Sequence, residues 1–250
     1  MNIIQTWKTY EVLPLFFKFI SNIHKLNPTC NYMFFSDNDI ESFIDNQMPE
    51  YADTFYGLHG KIQQVDFFRY LVIYYYGGLY LDIDFDAKLP FDDLITTHSE
   101  CYDNTQLYET RNKCIFPIEL KQNNEPLLSN QNFDYLIGNY AFYAPKKHPF
   151  IKKIIDNIVN QRILDKDIQI GQSINKDDSR DVYVYYRTGP LLVTQSYIDY
   201  ISTFENSSDI DISLIEPAMY MDNCFGDYGY HNAVGTWRHI SSTQEPLKKA

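Results

Sequence analysis

Residues 61–84 constrain the fold more than any other part of this chain. They join a helix to a strand through a double glycine and end on Asp82-Ile83-Asp84. From Lys61 to Tyr76, apolar residues run nearly all round a helix (Ile62, Val65, Phe68, Leu71, Val72, Tyr75), which predicts a deeply packed element. Gly77 suits its left-handed C-cap. Leu79-Tyr80-Leu81 then reads as a buried strand that delivers Asp82 and Asp84 to a sheet edge. Carboxylates two apart on a strand would project to one side. Asp66 and Arg69, three apart, share one face of the helix, and a mutual salt bridge is one sufficient reason for them.

The flanking pattern is α/β. Asn2 to Trp7 reads as a first buried strand and Glu11 to Leu26 as a helix with Pro14 in its first turn and Pro28 beyond its end. Tyr32 to Phe35 is a second strand. Asn38-Asp39-Ile40-Glu41 fits a capping box opening a helix through Ile44. This β-α-β-α order predicts a mainly parallel, Rossmann-like sheet flanked by helices, with ligands outside the carboxyl ends of the strands. Residues 96–133 read as a variable lobe facing an acceptor. Helices are expected at 147–160 and 190–201, and exposed loops at 165–181 and 205–211.

Length and charge narrow the functions. A chain of 250 residues without internal repeats or low-complexity tracts predicts a single domain over 1–250. A net charge of −12 argues against nucleic-acid or anionic-membrane partners. It leaves room for a nucleotide bound through a cation, which reverses the local sign. No apolar run is long enough to span a bilayer and no charged-then-apolar leader opens the sequence, so a cytoplasmic location is expected. Cys30, Cys101, Cys114 and Cys224 lack zinc-ligand spacing, and reduced thiols are expected. The many tyrosines suit carbohydrate surfaces, although nucleotide bias in a coding sequence gives the same enrichment. Two carboxylates at a strand end can hold a divalent cation, and the cation can neutralise a diphosphate. With an acid–base pair nearby to grip a sugar, these features point to a metal-dependent enzyme acting on a nucleotide sugar.

The chain resembles the DXD glycosyltransferases, in particular family 32, and more distantly the glucosylating domains of large clostridial toxins. Asp66-Phe67-Phe68-Arg69-Tyr70 with Gly77-Gly78-Leu79-Tyr80-Leu81-Asp82-Ile83-Asp84 carries most of the resemblance. Ile4-Gln5-Thr6-Trp7-Lys8, Asn139, Thr188-Gly189-Pro190, and His231 with Gly235-Thr236-Trp237 follow in the family's order. The resemblance implies a GT-A-like fold and a retaining transfer of a hexose from a nucleotide donor. UDP-sugars are the first choice and GDP-mannose the second. A glycan, lipid-linked sugar or protein would be the acceptor. It further implies Mn²⁺ or Mg²⁺ on Asp84, Asp82 and His231. Asp66, Arg69, Asp82 and Asn139 would hold the donor sugar, and Gln5, Thr6, Trp7, Tyr80, Thr236 and Trp237 the nucleotide. No residue of the sequence stands out as nucleophile or base. Two alternatives stay open: a haloacid-dehalogenase-like phosphatase, with Asp177-Asp178 as its later acidic pair, and a non-catalytic carbohydrate-binding descendant of the fold.

Overall fold

The computed structural model describes residues 1–97, 113–121, 133, 135–175, 180–218 and 223–235. Strands β1 (Asn2–Thr6), β2 (Asn31–Phe35) and β3 (Gly78–Leu81) lie side by side, with β1 central and parallel to both. The connections are helices α1 (Pro14–Leu26), α2 (Asp37–Gln47), α3 (Ala52–Gly57) and α4 (Lys61–Tyr76). Beyond β3 the sheet is mixed. Following β4 (Phe85–Ala87) and α5 (Asp92–Thr97), β5 (Cys114–Lys121), β6 (Tyr135–Ile137) and β7 (Ala141–Ala144) extend it. Strand β7 runs antiparallel to both β3 and β5. Helices α6 (Pro149–Val159), α7 (Asp165–Asn175), α8 (Arg180–Arg187) and α9 (Pro190–Ile201) follow, then β8 (Ile212–Ile215), parallel to β5, and β9 (Gly229–His231). The short β4 and β9 pair with each other, apart from the main sheet.

Alternation along each strand sorts the core into two apolar layers. Ile4, Tyr80, Phe142 and Ala144 face the layer packed by α2, α4, α6 and α9. Ile3, Leu79, Leu81, Ala141 and Tyr143 face the layer that holds Ile23 of α1 and Phe85 of β4. Helix α4 is buried from Asp66 to Ile73 without interruption, as its all-round apolar pattern predicts. The double glycine after it is a steric requirement. Gly77 and Gly78 have φ of 70° and 124°, and a Cβ on Gly78 would lie 2.5 Å from the Asn2 carbonyl oxygen. Strand β3 can therefore enter beside β1 only as glycine.

Several local expectations change. Helix α1 begins at Pro14 and not Glu11, because proline takes the first helical position with its fixed φ and missing N–H. The capping box on α2 is formed by Ser36 and Asp39, two residues earlier than Asn38 and Glu41. Strand β5 lies inside the supposed variable lobe yet joins the main sheet. Residues 165–175 form α7 where a loop was expected, and α8 begins at Arg180. That helix buries Ile168 and Gly171 and leaves Ile170 exposed, so its apolar stripe is too thin to show in sequence. Asp82-Ile83-Asp84 is not a strand segment. The strand ends at Leu81, and Phe85 N–H donates to the Asp82 carbonyl at 3.0 Å, closing a turn into β4.

Candidate active site

Tyr80 of β3 faces α4, and its hydroxyl donates at 3.0 Å to Asp82, the first residue past the strand. There the Arg69 guanidinium sits between two carboxylates. Its Nη2 is 2.8 Å from Asp66 Oδ1 and its Nη1 is 3.4 Å from Asp82 Oδ1. Nη1 also donates to the Asn139 carbonyl at 2.7 Å, and the guanidinium lies over the Tyr80 ring. The second oxygen of Asp66 accepts from the Thr188 hydroxyl at 2.8 Å. The Asn139 amide donates to the Tyr70 hydroxyl at 3.0 Å and reaches Asp66 Oδ1 at 3.4 Å. Tyr70 closes the circuit by donating to the Thr188 carbonyl at 2.9 Å.

Burial works against every charge in this group. It pushes the carboxyls of Asp66 and Asp82 up, and Arg69 pulls both back only in part. The guanidinium is driven the other way: burial acts against its charge, but Asp82, Tyr80 and Asp66 outweigh that and raise it. Each oxygen of Asp66 has a partner already, yet a carboxylate offers roughly four lone-pair sites. The carboxylate therefore keeps acceptor capacity beyond these bonds.

The other side of Asp82 is built from the end of the chain. The β4–β9 ribbon sets Phe85 opposite His231. His231 Nε2 lies 3.0 Å from Asp84 Oδ1 and 3.5 Å from Asp82 Oδ2. Its ring stacks on Tyr140 with centroids 4.8 Å apart and planes 7° from parallel. Asp84 Oδ2 accepts from Val234 N–H at 2.8 Å, and its carbonyl accepts from the Asn232 side chain at 2.7 Å. Burial raises the Asp84 carboxyl, but His231 and the Val234 N–H more than reverse this and hold it low. His231 is raised in turn, since Asp84 and Asp82 outweigh its own desolvation. One ligand atom from each of Asp82, Asp84 and His231 falls within 4.8 Å of the others. Two carboxylate oxygens and an imidazole nitrogen at that spacing fit a divalent cation.

The expected nucleotide residues are less exposed than their assignment suggests. Gln5 is fully buried, donating to the Asp82 carbonyl at 3.0 Å and accepting from the Tyr32 hydroxyl at 2.8 Å. Tyr80 is fully buried as well, with its hydroxyl on Asp82 Oδ1 at 3.0 Å and 3.3 Å from the Thr6 hydroxyl. Trp7 follows β1, half-buried, its ring edge-on to Phe16. Thr236, Trp237 and the pair Asp177-Asp178 lie outside the described residues. Sequence reasoning gave no role to Tyr70, Thr188 or Tyr140. Thr188 stood in the Thr188-Gly189-Pro190 element and Tyr70 at the end of the Asp66–Tyr70 segment, whereas Tyr140 had no signal beyond being aromatic. Cys30 and Cys114 are reduced thiols, as expected, and Cys101 lies outside the described residues.

Comparison with known proteins bears on this constellation. Residues 15–101 match the family described as a glycosyltransferase sugar-binding region containing a DXD motif. This segment, near the start of the chain, is similar to a DXD glycosyltransferase region. It spans α1 to α5 and so includes Asp66, Arg69, Asp82 and Asp84. Among curated relatives, a mannosyl phosphorylinositol ceramide synthase of Saccharomyces cerevisiae is 23% identical over 91% of this chain and 48% of its own length. An inositol phosphoceramide mannosyltransferase of Schizosaccharomyces pombe is 24% identical over 80% of this chain and 51% of its length. An uncharacterized glycosyltransferase of Acanthamoeba polyphaga mimivirus is 35% identical over 38% of this chain and 39% of its length. The chain thus spans about half the length of the first two relatives. Among solved structures, the PaToxG glycosyltransferase is similar at 18% identity, covering 80% of this chain and 68% of that one with a TM-score of 0.46. No described helix is long and apolar enough to cross a membrane.

Proposed function

We propose that residues 1–250 form one catalytic unit that transfers a hexose from a nucleotide-sugar donor to a hydroxyl of a glycan or lipid-linked acceptor. The observation that carries this reading is the adjacency of two devices at Asp82: an Asp82–Asp84–His231 cluster and the buried Asp66–Arg69 pair. A diphosphate and a hexose are adjacent in a nucleotide sugar, so a cation site beside a hydroxyl-binding pair suits that donor. The names of the yeast relatives favour mannose as the sugar and a phosphoinositol-bearing lipid as the acceptor class. The resemblance read from the sequence favours a UDP donor, so UDP-sugars and GDP-mannose form the test panel.

Asp84, Asp82 and His231 would hold Mn²⁺ in preference to Mg²⁺, which favours an all-oxygen shell. The ion's chemistry is Lewis acidity towards the charge that develops on a leaving diphosphate. The chain's own residues do the rest. Asp66 and Arg69 orient the sugar, the carboxylate accepting from one hydroxyl while the guanidinium donates to another. Asn139 and Thr188 hold that pair in place. Family resemblance implies retention of the anomeric configuration, and we favour front-face attack by the acceptor on the side of the departing diphosphate.

The test is nucleotide release from the donor panel in Mn²⁺, beside Asp84→Ala. Hydrolysis of one donor that vanishes without metal or without Asp84 is the expected result. Failure of every donor to bind in thermal-shift measurements would overturn the transferase reading.

A further inference from the structure

Residues of α3, α4, α6 and α8 line an open pocket of about 190 Å³. Its walls are Asp53 and Gly57 of α3, Leu58, Gln63 of α4, Ile158 at the end of α6, and Arg187 at the end of α8. Two links tie it to the sugar-binding pair. Gln63 stands one turn of α4 ahead of Asp66, a rise of about 4.5 Å. Arg187 immediately precedes Thr188, whose hydroxyl bonds Asp66.

Gln63 makes this pocket more than a surface dimple. Its side chain is 1% exposed, and its Oε1 accepts from His59 N–H at 3.0 Å. That bond fixes the amide orientation, since a flip would put a donor against a donor. Nε2 is thereby left without a partner, a buried donor on a residue that lines the pocket. Buried polar groups are normally paired, so such an orphan asks for an acceptor atom from outside the chain.

We infer that this pocket is the acceptor subsite, and that it takes one neutral polyhydroxylated ring, with Gln63 Nε2 donating to a ring hydroxyl. Charge separates this from an anionic ligand. Arg187 is already engaged by the Ile163 carbonyl, Gln161 Oε1 and Asp165 Oδ1, and Asp53 lines the same wall. No lysine or second arginine stands beside Arg187 among the lining residues to bind a phosphate. Leu58 and Ile158 supply apolar surface for the C–H face of a ring. The volume is well below the roughly 300–1,000 Å³ of sites for drug-sized ligands, which suits a single ring and not an oligosaccharide. This inference rests on the transferase reading for the word acceptor, but the pocket's affinity for a polyol does not.

The test uses the whole chain and two probes, methyl α-mannopyranoside and myo-inositol, read by saturation-transfer NMR with and without UDP or GDP. Gln63→Glu keeps the acceptor for His59 N–H and removes the donor. Gly57→Leu fills the mouth, where an added Cβ meets nothing within 4 Å. Circular dichroism and thermal unfolding check that both variants fold. We expect one probe to bind the unaltered chain and to weaken about tenfold in Gln63→Glu, the effect of one lost hydrogen bond. Gly57→Leu should weaken it as well. Absence of binding to the unaltered chain, or equal binding to both variants, overturns the subsite. Donor hydrolysis by the unaltered chain is measured in parallel. Polyol binding that depends on Gln63 in a chain that binds no donor would refute the acceptor role and leave a carbohydrate-binding site.

Discussion

The Arg69 flank of Asp82 stands on a 16-residue helix buried from Asp66 to Ile73 and on the central strands β1 and β3. The His231 flank hangs on two strands of three residues each, outside the main sheet. On the first side every group except Arg69 Nε is tied to at least one other, and Arg69, Asp66 and Asn139 are almost wholly buried. On the second side, Asp84 is held by backbone and amide groups of residues 232–234, which leave β9 as irregular chain. The Arg69 flank is therefore a structural part of the core, whereas the His231 flank is assembled late in the chain and lightly. Mutations on the two flanks should differ in kind. Those on the first should unfold the protein, and those on the second should disable a folded one.

Arg69→Met carries the largest expected effect. It leaves the Asp66 and Asp82 carboxylates without their cation, and removing one partner of a buried pair costs about 3–5 kcal/mol. Urea unfolding should show that loss in the midpoint with the slope unchanged. If Arg69→Met unfolds no more easily than His231→Ala, the contrast between the flanks is wrong. Asp84→Ala comes next and should read in activity. Loss of outer-shell partners of a metal typically costs about 10–100-fold, so removal of a ligand should lower metal-dependent donor hydrolysis by about 100-fold or more. Its unfolding midpoint should stay near that of the unaltered chain. Tyr140→Leu sharpens the comparison further. It removes the ring on which His231 stacks while the Tyr140 carbonyl still accepts from Asp82 N–H. A weakening of Mn²⁺ affinity of about tenfold, read by titration calorimetry, is expected.

The same contrast explains what was legible in the sequence. The α4–β3 block could be read because its constraints are local: an all-round apolar helix, a glycine pair with no room for Cβ, and an acidic terminus all lie in one stretch. The α/β order followed from strands and helices that alternate with clear periods. The polar circuit around Asp66 could not be read, since Tyr70 and Thr188 are 118 residues apart in the hydrogen bond that joins them. The role of Gln5 was hidden for a similar reason. A glutamine at a strand end reads as a ligand contact, and only the β1–β3 pairing shows that it props the Asp82 carbonyl. The strand reading of Asp82-Ile83-Asp84 failed because a two-residue turn and a strand are both compatible with so short an alternation.

A site remote from both flanks sets the scale for ordinary local stabilisation. Asp39 Oδ2 accepts from Ser36 N–H at 2.8 Å and from the Tyr10 hydroxyl at 2.7 Å, capping α2. The Ser36 hydroxyl leads in holding this carboxyl below its ordinary range, against the opposing effect of burial. A lowered carboxyl contributes stability when it is ionised in both states, above its unfolded pKa near 3.9, and loses it as pH falls through the folded value. Asp39→Ala should therefore cost about 1 kcal/mol or less at pH 7, the usual worth of a cap at an exposed and screened position. The difference from the unaltered chain should shrink in urea titrations as pH falls below about 4. A difference that persists unchanged at low pH would mean that shape and packing, not charge, make the cap. A difference as large as that of Arg69→Met would remove the distinction between a buried ionic core and a surface cap on which the comparison of the two flanks depends.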